Sequence, residues 1–102
     1  MGKKISILPP EKIQAFLLEA NWSLDKGQLF RDFSFTSYAL AASFVQELAS
    51  MAEEQNHHPD ILLRWKKVSV WLFTHDDEGI TQLDTTFALQ ANAHFSSLND
   101  DN

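Results

Sequence analysis

The sequence predicts an α+β domain of order α-β-β-α-β-β-α, a four-stranded antiparallel sheet with its helices packed on one face. Three observations predict it. Apolar residues recur at helical spacing in three separate stretches. Between the stretches lie short runs rich in aromatic and β-branched residues. Turn signals and prolines punctuate the boundaries.

Taken in order, Pro9 and Pro10 open the first helix, because proline is tolerated in a first turn. Ile13, Phe16, Leu17 and Ala20 form its stripe, and Asn21 closes it. Trp22 to Leu24, the turn Asp25-Lys26-Gly27 and the Phe-rich run Leu29 to Phe35 read as a hairpin. Thr36 or Ser37 caps a second helix from Tyr38 to about Gln55. Leu40, Ala41, Phe44, Val45, Leu48, Ala49 and Ala52 give that helix a wide apolar stripe, which suggests burial against the sheet and also against a neighbouring subunit. Pro59 prevents its continuation.

Asp60 to Trp65 is read as a strand, with Trp65 packed in the sheet, and Lys66-Lys67 as the turn after it. Val68 to Thr74 is the strongest strand and, apolar on both faces, is placed centrally. Trp71 is expected in the core or an interface. His75 to Gly79 is a loop, and Thr81-x-x-Asp84 has the pattern of a capping box opening the third helix. Leu83, Phe87, Ala91 and Phe95 form its stripe. Residues 1–102 are read as one domain, with 96–102 a flexible polar tail.

Composition excludes several function classes. The formal net charge is −6 and the basic residues are scattered, which argues against direct binding to nucleic acid. There are no cysteines, so thiolate catalysis and Cys-ligated metal are excluded. No apolar run reaches the roughly 18 residues of a membrane span, and the basic start lacks the apolar region of a signal peptide. A cytoplasmic protein without membrane attachment is expected.

Three of the four histidines stand where regular elements stop: His57 and His58 after the second helix, His75 after the strongest strand. Imidazole exchanges protons near neutral pH. A pocket with several imidazoles and a carboxylate suits acid–base elimination, with neither metal nor nucleophile. A zinc site built from His57, His58, His75 and Glu53 is the rival, weakened because adjacent histidines chelate one ion poorly. His94, on the last helix, reads as an ordinary helical residue.

The spacing Glu53-x-x-x-His57-His58-Pro59, five residues, Trp65, nine residues, His75, eight residues, Asp84 resembles the signature of the pterin-4a-carbinolamine dehydratases. Trp22, Phe33-x-Phe35 and Gly79-Ile80-Thr81 extend the similarity, which covers about Ile7 to Phe95. The resemblance implies acid–base roles for His57 and His75, with His58 orienting the pterin. It places Glu53, Trp22 and Asp84 as residues lining or supporting the substrate pocket. It implies a pterin substrate, no metal and no organic cofactor, a homodimer or homotetramer, and a functional link to an aromatic amino-acid hydroxylase. The alternative is a non-catalytic interaction protein on the same fold, a transcriptional coactivator or an assembly factor. On the residues alone, Asp84 is equally a helix cap, Glu53 a solvated helix residue and Trp22 a core residue.

Overall fold

The computed structural model describes residues 6–99. Its elements run α1 (Pro10–Ala20), β1 (Ser23–Asp25), β2 (Gln28–Ser34), α2 (Tyr38–Gln55), β3 (Asp60–Arg64), β4 (Lys67–Leu72) and α3 (Gln82–Asn99). The strands form one antiparallel sheet in the order β1-β2-β4-β3, with β4 in the interior as its sequence requires. This is the α+β arrangement that the sequence predicts.

Local chemistry sets the boundaries. The Asn21 N–H returns to the Leu17 carbonyl (3.1 Å) from a left-handed conformation (φ 66°), which ends α1. Lys26 and Gly27 both have positive φ, 52° and 81°, as a two-residue hairpin turn between twisted strands demands. The Ser37 hydroxyl accepts the Leu40 N–H (3.1 Å) and caps α2. Asn56 ends α2 in the left-handed region, at φ 51°. The next N–H, that of His57, also turns back to the Ala52 carbonyl (3.1 Å). The backbone carrying His57 is thereby tied to the last turn of α2.

Strand alternation sorts the side chains. Leu29 and Phe33 of β2, with Val68, Val70 and Leu72 of β4, are fully buried on the helix side of the sheet. They meet Ala41, Phe44, Leu48, Met51 and Ala52 of α2 and Phe87, Ala88 and Ala91 of α3 in one core. Its centre is aromatic: Phe33 lies 4.7 Å from Phe44 and 5.0 Å from Phe95, ring centre to ring centre. Arg31 also points to this side, its guanidinium 4.5 Å over the Phe33 ring, and burial pushes its pKa below the ordinary value. On the opposite face the Trp71 ring tilts against Phe30 (5.1 Å), and its indole N–H donates to Asp25 (2.8 Å). Asp32, Ser69 and Arg64 form a hydrogen-bonded row beside them.

Two expectations are corrected. Trp65 does not pack in the sheet. It is 72% exposed, with the Lys66 ammonium 4.4 Å above its ring. The β3–β4 turn consists of Trp65 and Lys66 rather than Lys66 and Lys67, so Trp65 sits at the tip and Lys67 joins β4. The helical stripe also continues beyond Phe95. Leu98 packs partly buried against the core, and α3 extends to Asn99, so residues 96–99 are not a loose tail. Residues 100–102 of that expected tail lie outside the described residues.

Candidate active site

The end of α2, the end of β4 and the start of α3 converge on an open cleft of about 280 Å³. His57, His58 and His75 all line it, with Asn56, Phe73, Thr74, Asp76 and Leu83. The three imidazoles singled out from the sequence are therefore brought together, although His57 and His75 are far apart along the chain.

Each imidazole has a different setting. His57 is buried at 8% exposure and faces the edge of α3, its ring 6.5 Å from that of Phe87. Its Nε2 lies 2.7 Å from Oδ1 of Asp84, which is completely buried. His58 leans outward, and its Nε2 meets Oε2 of Glu53 at 2.7 Å, one turn back on α2. Both partners of that pair are exposed, so the contact orients the ring more than it stabilises the fold. His75 is exposed and packs edge-on to Phe73, 5.1 Å away.

The segment between β4 and α3 is closed on itself. Thr74 and Gly79 exchange backbone hydrogen bonds of 2.9 and 3.2 Å, so the chain from His75 to Glu78 reverses tightly. A Cβ at Gly79 would lie 2.9 Å from the Ile7 side chain, which crosses this turn and would have to shift. Ile7 in turn bridges to Thr81.

Asp84 makes two sets of contacts, one to the start of α3 and one to His57. Its Oδ2 accepts the Thr81 N–H (2.9 Å), completing the capping box at the start of α3. The same oxygen accepts the Thr74 hydroxyl (2.7 Å), and the Thr74 and Thr81 hydroxyls are 2.7 Å apart. Asp84 thus lies behind His57, not on the cleft wall. Thr74 and Thr81 were not singled out as site residues. The sequence signals for them are the capping pattern at Thr81 and the position of Thr74 directly before His75.

Trp22 does not line the cleft. It is 4% exposed and lies edge-on to Phe33 (5.9 Å). Its indole N–H donates to Oδ1 of Asn92 (2.8 Å), which also accepts from Arg31 (2.7 Å), while the Asn92 amide donates to the Ala20 carbonyl (2.8 Å). Trp22 joins the end of α1 to α3 and belongs to the core. Glu53 contacts the site only through His58. His94 pairs with Glu47 at 3.3 Å, away from the cleft, as an ordinary helical residue. Among the described residues, no three His, Cys, Asp or Glu side chains are grouped to hold a metal ion. No described helix is long and apolar enough to cross a membrane.

Fold, cleft and spacing define an α+β domain with a polyhistidine pocket, and comparison with known proteins gives that class its family. The family model for pterin 4 alpha carbinolamine dehydratase matches residues 6–94, so the chain belongs to that family. It is 41% identical over 71 residues to a protein of Herpetosiphon aurantiacus provisionally named pterin-4-alpha-carbinolamine dehydratase, covering 70% of this chain and 74% of the relative. The fold is similar to a crystal structure from Brucella melitensis described as a transcriptional coactivator/pterin dehydratase. The TM-score is 0.81 at 30% identity, covering 86% of this chain and 97% of the other. It is also similar, with a TM-score of 0.60 at 27% identity, to a pterin dehydratase-like protein described as a RuBisCO assembly factor in the alpha-carboxysome, covering 71% of this chain and 83% of the other.

Proposed function

We propose that this chain dehydrates 4a-hydroxytetrahydropterin to quinonoid dihydropterin and water, with histidines as the acid and base. The observation that carries the reading is the meeting of three imidazoles in one cleft, one of them backed by a buried carboxylate, in a chain of this family. The C4a–oxygen bond breaks, and the departing hydroxyl takes a proton from an imidazolium and leaves as water. A second imidazole removes a proton from a ring nitrogen, whose electron pair forms the new C=N bond. His57 and His75 take these two roles, His58 orients the pterin, and Glu53 holds His58. The chemistry calls for no metal and no organic cofactor. The reaction consumes the hydroxylated pterin released by an aromatic amino-acid hydroxylase and so supports tetrahydropterin recycling. The test is the decay of 4a-hydroxytetrahydropterin, generated in place by a pterin-dependent phenylalanine hydroxylase and followed by ultraviolet absorbance. Added protein should accelerate the decay, and an unchanged rate with folded protein would defeat the reading.

The descriptions of the two similar structures support a second reading, an interaction protein that works as a coactivator or assembly factor. Under it, substitutions at the three cleft histidines would leave partner binding unchanged.

The chain also works as a homodimer or homotetramer in this reading. Ala49 belongs to the apolar stripe of α2 yet remains exposed, and Ala42, two turns earlier, is exposed as well, which leaves a face of small side chains for a second copy. Sedimentation should give a mass at least twice 11.6 kDa. A single 11.6 kDa species at micromolar concentration would contradict assembly.

A further inference from the structure

We propose that Thr74 is a positioning residue, whose hydroxyl locks the Asp84 carboxylate so that His57 carries its proton on Nε2 and keeps Nδ1 as the free base of the ring. The kinetic consequence rests on the dehydratase reading above. The tautomer itself follows from counting protons in the structure.

The count starts at the two threonines. Each hydroxyl has one proton to donate and can accept from others. The Thr74 oxygen lies 2.7 Å from Oδ2 of Asp84 and 2.7 Å from the Thr81 oxygen. An ionised carboxylate only accepts, so the Thr74 proton goes to Asp84. Thr81 must then donate to Thr74, and its own oxygen accepts the Leu83 N–H at 3.1 Å. The direction is fixed along the whole row, from Leu83 through Thr81 and Thr74 to Asp84. The Thr81 N–H adds a second donor to Oδ2 at 2.9 Å.

With two donors on Oδ2, the carboxylate cannot rotate without breaking both. Oδ1 is left facing His57 Nε2 at 2.7 Å, and an oxygen that only accepts requires an N–H there. In the neutral ring, the other nitrogen is then bare. Nδ1 has no hydrogen-bond partner among the described residues, so it is available to a substrate in the cleft that His57 lines. Burial makes the arrangement strict. Thr74 is 6% exposed and Thr81 and Asp84 are fully buried, so a missing bond leaves a buried polar group unsatisfied. Thr74 holds a place no other residue can fill, because it is both the second donor to Oδ2 and the acceptor for the Thr81 proton. The tight reversal at Gly79 and the end of β4 deliver it there.

The experiment reads the His57 ring nitrogens by NMR of histidine-labelled, substrate-free protein at alkaline pH, with His57 assigned by a His57→Gln variant. The wild type should show the Nε2-protonated form. Thr74→Val keeps the shape but removes donor and acceptor, and should give a mixture of tautomers. Thr74→Ser should restore the wild-type signal. In the dehydration assay Thr74→Val should lower kcat roughly ten- to hundredfold, the usual weight of one hydrogen bond to a charged group. KM should stay within about twofold and Thr74→Ser should recover most of the rate. A wild-type ring protonated on Nδ1 would overturn the proposal even if Thr74→Val failed to fold. An unchanged tautomer and kcat in folded Thr74→Val would overturn it as well. The NMR readings need no turnover. A wild type protonated on Nε2 but without dehydratase activity would therefore defeat the functional reading and leave the positioning of His57 standing.

Discussion

Under the proposed dehydratase reading, alanine at His57 is expected to lower the rate of pterin dehydration by roughly 10²–10⁴, the range of one positioned acid–base group. The side chain lies where the cleft meets the interior, with Asp84 behind it. In this reading no neighbouring group substitutes, because His58 is turned toward Glu53 and His75 already holds the other acid–base role. The dehydration also proceeds without a catalyst, so the loss is read after subtracting that background. The fold should survive with some loss of stability. Asp84 would keep its bonds to Thr74 and Thr81 while losing one hydrogen-bond partner, at a cost of about 1–3 kcal/mol. A His57→Ala variant with more than half of the wild-type rate would exclude His57 from the acid–base pair.

Phe33→Ala has the largest expected effect on stability, a loss of about 3–5 kcal/mol. Phe33 is fully buried on β2 and touches three aromatic rings, those of Trp22, Phe44 and Phe95, with the Arg31 guanidinium above it. Those partners come from different elements, so the space left by the ring cannot be closed by moving one of them. Domains of this size hold roughly 5–15 kcal/mol in total, so the variant would stand near the edge of folding. Urea titration should show its midpoint lowered by roughly 2–4 M. A change under about 1 kcal/mol would mean that the aromatic cluster is not the centre of the core.

Much of this architecture is legible in the sequence because it follows from local patterns. The stripe of α2 has one periodicity over five turns, and Ser37, Asn21 and Asn56 act as caps within a few residues of their partners. The apolar run of β4 implies an interior strand from composition alone. The convergence of the three histidines is legible because each stands where an element stops. What the sequence does not reveal depends on one-residue offsets or on distant partners. Shifting the β3–β4 turn by one position moves Trp65 from the sheet to the tip. Trp22 carries no local mark that separates a pocket wall from the core, and its place is decided by Asn92, seventy residues away. Thr74 acquires its role only when the end of β4 is set beside the start of α3, a pairing that no spacing along the chain encodes.

The central claim, that the histidine cleft dehydrates a 4a-hydroxytetrahydropterin, is tested most directly by the double substitution His57→Ala, His75→Ala. The decay of hydroxypterin generated by a phenylalanine hydroxylase would be compared for wild type, the folded double variant and no added protein. Acceleration by the wild type that falls to the uncatalysed rate in the double variant is the predicted result. Equal acceleration by both proteins would contradict it.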